Sequence, residues 1–177
     1  MDGFFLFPLM ISIAIIEMFL SVNWNKIYFT LGLPIFRKHV KFKHFSGDID
    51  SLVNNLNIKF KSDGITSSQY FKKIDLNKIA FREKYFDFSL LTYTPVMHGK
   101  IIIDCDKNEF EVLGLSNWFM MAFLFMWYST FLDHNINNID IIFLLAPIGI
   151  ISFIYYIQLR KYKKIIFYLY SLLEQQH

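Results

Sequence analysis

The stretch IAIIEMFL, Ile13 to Leu20, sets a single carboxylate inside an otherwise oily run. Two readings follow from it, one for the run and one for the acid. The run belongs to an apolar block, Phe4–Val22, and two further blocks follow at Leu115–Leu132 and Ile141–Leu159. Each block has 18 or 19 residues. A hydrocarbon core of about 30 Å needs roughly 20 helical residues at about 1.5 Å each. Glu17 is the one charge in the first block, and the other two contain no Asp, Glu, Lys or Arg. Blocks that are apolar on every face fit lipid better than a globular core. The 177-residue chain is 54% hydrophobic and 19% aromatic, which is greasy for a water-soluble domain of this length.

The expected architecture is therefore a membrane α+β protein with three transmembrane helices, at residues 3–23, 115–132 and 141–159. A small, β-rich, mainly antiparallel domain (24–114) is inserted between the first and second. An external loop covers 133–140, and a basic, amphipathic helical tail covers 160–177. A cleaved signal peptide is the rival reading of the first block. Met1-Asp2-Gly3 lacks the basic start and FLSVNWNK lacks the small residues of a cleavage site, so a retained helix is expected.

Orientation follows from the Lys and Arg near each helix end. Lys26, Arg37, Lys38, Lys41 and Lys43 follow the first block, and Arg160, Lys161, Lys163 and Lys164 follow the third. The loop DHNINNID between the second and third blocks has no Lys or Arg. The protein is thus expected to be integral to an inner or plasma membrane, as in bacteria. Its N-terminus would lie outside, with the β-rich domain and C-terminus cytoplasmic. Pro147, in LAPIGI, predicts a bend in the third helix because it cannot donate a backbone hydrogen bond.

Between Asn23 and Gly114 there are 14 Lys and Arg against 10 Asp and Glu. KIIIDCDKNEFEVLGL reads as a β-hairpin turning at Cys105–Asn108. HVKFKHF (39–45), NIKFKSDG (57–64) and KIAFREKYF (78–86) read as strands, and GDIDSLVNNL as a short helix capped by Asp48 or Asp50. Trp118 reads as an aromatic at interface height.

An ionisable group in a transmembrane helix points to function, because its charged form is costly in hydrocarbon. Glu17 lies six residues before Asn23, roughly 9 Å from the boundary at about 1.5 Å per residue. Asn117, Tyr155, Tyr156 and Gln158 fall at similar depth on the other helices. They are its expected partners in a helix–helix clamp, the neutral acid donating. Replacement by Gln should then be tolerated. The alternative is a small channel or transporter subunit in which Glu17 lines a path.

FRKHVKFKH (36–44) mixes cations with aromatics. Arg37, Lys38, Lys41, Lys43, Arg160, Lys161, Lys163 and Lys164 are expected to meet anionic lipid headgroups, each giving about 1 kcal/mol. Net charge is only +3, and no nucleic-acid module is present. His39 and His44 fall on opposite faces of a strand, which does not suit a shared metal. His98, with Asp104 or Asp106 nearby, offers a second alternative, a membrane-bound enzyme; TYTPVMHG reads as a turn, so this pairing is weak. Neither a nucleophile elbow nor a phosphate cradle occurs in the sequence. Cys105 is the single cysteine, so neither an intrachain disulfide nor a cysteine cage can form. No catalytic residue, cofactor, metal or small-molecule substrate is expected. The function expected is a non-catalytic accessory or scaffolding subunit that binds other membrane-protein subunits of a larger assembly.

Overall fold

The computed structural model describes residues 6–43, 45, 47–62, 69–83, 97–129 and 138–174. The order is α1 (Leu6–Val22), β1 (Pro34–Lys41), α2 (Ile49–Ser62), β2 (Gln69–Asp75), β3 (Lys78–Glu83), β4 (His98–Asp104), β5 (Glu109–Leu115), α3 (Trp118–Ser129) and α4 (Asn138–Glu174). The five strands form one antiparallel sheet in the order β1-β5-β4-β3-β2. Strands β2 to β5 are thus a meander, and β1 closes onto β5.

The hairpin read from KIIIDCDKNEFEVLGL is β4–β5, turning through Asn108 at φ 51°. Alternation there is clean: Ile101, Ile103, Phe110 and Val112 are buried on one face. The strand expected over 57–64 is instead the second half of α2. Leu52, Leu56 and Phe60 recur every four residues and are fully buried, whereas Ile58 is 65% exposed. That is a helical stripe, and the period-two reading confused it with alternation. Strand β2 had no counterpart in the sequence reading. The expected strand 78–86 begins as β3, and its residues 84–86 lie outside the described residues. The strand read at 39–45 starts earlier, at Pro34, and ends at Lys41.

Edge strand β2 is covered by α2. Asn57 Oδ1 accepts from the Phe71 N–H and its Nδ2 donates to the Phe71 carbonyl, both at 2.9 Å. One amide side chain thereby satisfies both backbone groups of an edge residue that would otherwise invite another strand.

The main core lies between one face of the sheet and two helices, α2 and the second half of α4. A separate tail helix is not present: α4 runs unbroken for 37 residues, ~55 Å at ~1.5 Å per residue. Its first half exposes Phe143, Leu145, Ile148, Ile150 and Phe153, and its second half buries Tyr162, Ile165, Leu169 and Leu173. The greasy end of the chain packs on the domain.

The ends of α1 and α3 meet the sheet's other face, where Leu20 and Trp118 pack against Tyr28, Phe29 and Ala80. Among the described residues one helix, over Phe143–Glu174, is long and apolar enough to cross a membrane by length and composition. Helices α1 and α3 are apolar but shorter, 17 and 12 residues. The outer residues 3–5, the end of the second block (130–132) and most of the loop 133–140 lie outside the described residues, and α4 takes up the last three loop positions.

Candidate functional site

Helix α3 begins with backbone N–H groups that have no partner inside the helix, and its first turn holds no acidic side chain. Glu17, reaching across from α1, takes that role. Its Oε1 accepts from the Trp118 N–H at 3.0 Å and its Oε2 from the Phe119 N–H at 2.9 Å. Oε1 also accepts from the Tyr28 hydroxyl at 2.8 Å. Glu17 is 1% exposed. A carboxylate from one helix therefore caps another, where the aligned peptide dipoles favour negative charge.

Tyr28 extends the contact to the sheet. Its ring stacks on His98 of β4 at 4.2 Å between centroids and meets Trp118 edge-on at 5.6 Å. The hydroxyl lies 3.2 Å from His98 Nδ1. With its one proton given to Glu17, the Tyr28 oxygen is left as an acceptor, which selects the Nδ1–H tautomer of His98. Glu17, Tyr28 and His98 form a buried chain from α1 through the 23–33 segment to β4, and α3 is anchored at its head.

The expected partners of Glu17 are elsewhere. Asn117, Gln158 and Tyr155 come together with Ser116 and Ser152 along an open groove of about 340 Å³ between α3, α4 and β1. Asn117 and Gln158 are buried; Tyr155 is exposed. Tyr156 points away and accepts from Arg160 Nη2 at 2.6 Å, the guanidinium lying over its ring. Sequence reasoning grouped residues by depth, and depth does not fix the side of a helix. The donors it missed were backbone N–H groups, which leave no mark on residue type, and Tyr28, in a segment with no periodic signal.

The basic residues divide. Lys38, Lys41, Lys43 and Lys163 are exposed. Arg37 is exposed and paired with Glu111, which His39 Nε2 also approaches at 3.4 Å. Lys164 is half-buried over the Phe60 and Tyr168 rings. Lys161 departs from the expectation of a headgroup contact: it is buried and paired with Glu83, itself buried. The helical turn that places Tyr162 in the core also turns its neighbour inward.

His98 is fully buried inside strand β4. The strand is unbroken at Gly99, so the expected turn does not extend to these residues; 92–96 lie outside the described residues. His98 and Asp104 do share a face, but six residues of strand separate them by ~20 Å. The acid that His98 meets, through Tyr28, is Glu17. Among the described residues no group of three or more His, Cys, Asp or Glu is placed to hold a metal. His44 lies outside the described residues. Comparison with family models, with curated proteins and with solved structures gave no match.

Proposed function

We propose that the chain is an integral membrane accessory or scaffolding subunit, non-catalytic, that holds a small α+β domain in fixed register with its apolar helices. The N-terminus lies outside, the domain and the C-terminus are cytoplasmic, and other membrane-protein subunits are the partners. The supporting observation is the double weld between helices and domain. Glu17 clamps α1 to α3 and, through Tyr28, to β4. Helix α4 passes without a break from its exposed apolar half into the domain core. A mobile tether would need neither. The apolar flanks are broad: Phe19, Phe125 and Phe153 are 65%, 80% and 60% exposed. Such surface calls for lipid or for other helices.

Glu17 supports the clamp over an ion path. Both its oxygens are engaged by donors held in backbone and ring, and a conducting carboxylate must exchange partners. The exposed cations Lys38, Lys41, Lys43 and Lys163 suit an anionic membrane surface.

Affinity purification from native membranes in mild detergent, followed by mass spectrometry, tests the reading. A stoichiometric heterologous partner is expected; purification as a lone chain would overturn it. Cys105, free and exposed on the β4–β5 turn, tests the orientation without engineering. An impermeant maleimide applied to intact cells should spare it, and labelling from outside would reverse the assignment.

A further inference from the structure

The groove between α3, α4 and β1 is apolar along Met120, Ile151 and Ile154, and polar at Ser116 and Gln158. Gln158, 4% exposed, lines the groove with its amide. The Ser116 hydroxyl beside it is buried without a partner among the described residues. A polar group left so is costly, and more so beside hydrocarbon, where no water replaces the missing bond. Its partner should arrive on a molecule with an apolar body and hydrogen-bond acceptors.

Depth and size narrow the class. Gln158 stands two residues before the basic run Arg160–Lys164. In the membrane placement proposed above, on which this inference rests, that is the level where hydrocarbon gives way to headgroups. A volume of about 340 Å³ falls in the range of small-ligand sites, about 300–1,000 Å³. Strand β1, whose Ile35 closes the groove, carries the exposed cation Lys38 about 10 Å further along.

We infer that this groove is a binding site for one glycerophospholipid. An acyl chain lies along Met120, Ile151 and Ile154, an ester carbonyl accepts from the Gln158 amide and the Ser116 hydroxyl, and the phosphate faces Lys38. This is a seat for one molecule, distinct from diffuse attraction of the basic surface to a bilayer.

The test is native mass spectrometry of the full chain in detergent, titrated with dioleoylphosphatidylglycerol. One lipid should stay bound at collision energies that strip the rest. Gln158→Leu should weaken its retention about 2- to 10-fold, the worth of one hydrogen bond. Ser152→Trp, at an exposed position on the rim, should remove the retained lipid while leaving the thermal unfolding midpoint unchanged. Equal retention by wild type and Ser152→Trp, or none by either, in a chain that still requires detergent would overturn the site and leave the membrane placement standing. A chain freely soluble without detergent would overturn both.

Discussion

The indole Nε1 of Trp127 donates to the backbone carbonyl of Phe143 at 3.1 Å. In an α-helix that carbonyl would accept from the N–H of the residue four positions on, which is Pro147 and has none. Helix α3 thus supplies the donor that the proline withholds from α4, and the neighbouring Tyr128 hydroxyl donates to the Leu144 carbonyl at 3.2 Å. An apolar setting makes the repair important, because no solvent would satisfy the freed group. The pair also fixes α3 against α4 at the end remote from Glu17.

Trp127→Phe keeps the ring and removes the donor. It is expected to destabilise the protein by about 1 kcal/mol, in the range of interhelical hydrogen bonds in membranes. Pro147→Ala restores an N–H to the Phe143 carbonyl from within α4. In a double-mutant cycle measured by denaturant titration in detergent, Trp127→Phe should therefore cost less on the Pro147→Ala background. Strict additivity would show that the indole is not serving the proline gap.

Glu17→Gln is expected to be damaging, contrary to the tolerance that the sequence suggests. Oε1 and Oε2 each face a backbone N–H. A carboxamide sets its NH₂ against one of those donors whichever way it is turned. The expected loss is about 1–3 kcal/mol, the cost of an unmet buried donor. Tyr28→Phe removes the hydroxyl and with it the acceptor for the buried His98 Nδ1–H, so it should cost a similar amount while leaving the cap on α3 in place. Hydrogen exchange of the Trp118 and Phe119 amides is the direct readout: it should accelerate in Glu17→Gln and change little in Tyr28→Phe. Unchanged exchange in Glu17→Gln would remove the capping role.

Lys161 and Glu83 make a buried pair, with 10% and 1% of their side chains exposed. Removing one member takes its ion-pair partner from the other buried charge, for which about 3–5 kcal/mol is expected; replacing both by apolar residues of similar volume is often neutral. Glu83→Leu and Lys161→Met should each lower the thermal midpoint sharply, and the double variant should recover most of the loss. If Lys161→Met alone were harmless, the ion pair would not be holding α4 to β3.

The apolar blocks and the β4–β5 hairpin were legible because each has a periodicity of its own. The second half of α2 was not, since Lys59 and Lys61 flank Phe60 in a pattern that also fits a strand. What separates the two is the reach back to Leu52 and Leu56. Glu17 stood out as an anomaly, but its partners did not: backbone donors and a tyrosine 11 residues later can be found only once α1, α3 and β4 are brought together. Gly99 read as part of a turn, yet it lies inside a strand, as does Gly114 in the hairpin.

Those two glycines are opposite one another, and the register carries a row across the sheet: Phe36, Gly114, Gly99, Phe81 and Phe71, one from each strand. The glycines leave a trough between aromatics, and Tyr162 of α4 fills it. Its ring stacks on Phe36 at 4.7 Å and meets Phe81 edge-on at 6.0 Å. A Cβ on Gly114 would fall 2.3 Å from the Tyr162 ring. Burial pushes the Tyr162 hydroxyl well above its usual range, and it has no hydrogen-bond partner among the described residues. The phenol's place is set by shape alone. Gly114→Ala must therefore lift α4 from the sheet, at an expected cost of about 1–3 kcal/mol for overpacking. Tyr162→Phe should not relieve it, because ring carbons collide as well as the hydroxyl. Tyr162→Leu, which removes the ring, should recover part of the loss in Gly114→Ala while being destabilising by itself. Unfolding free energies of the three single and two paired variants would measure this coupling, and a Gly114→Ala cost untouched by Tyr162→Leu would place the strain elsewhere than at the seat of α4.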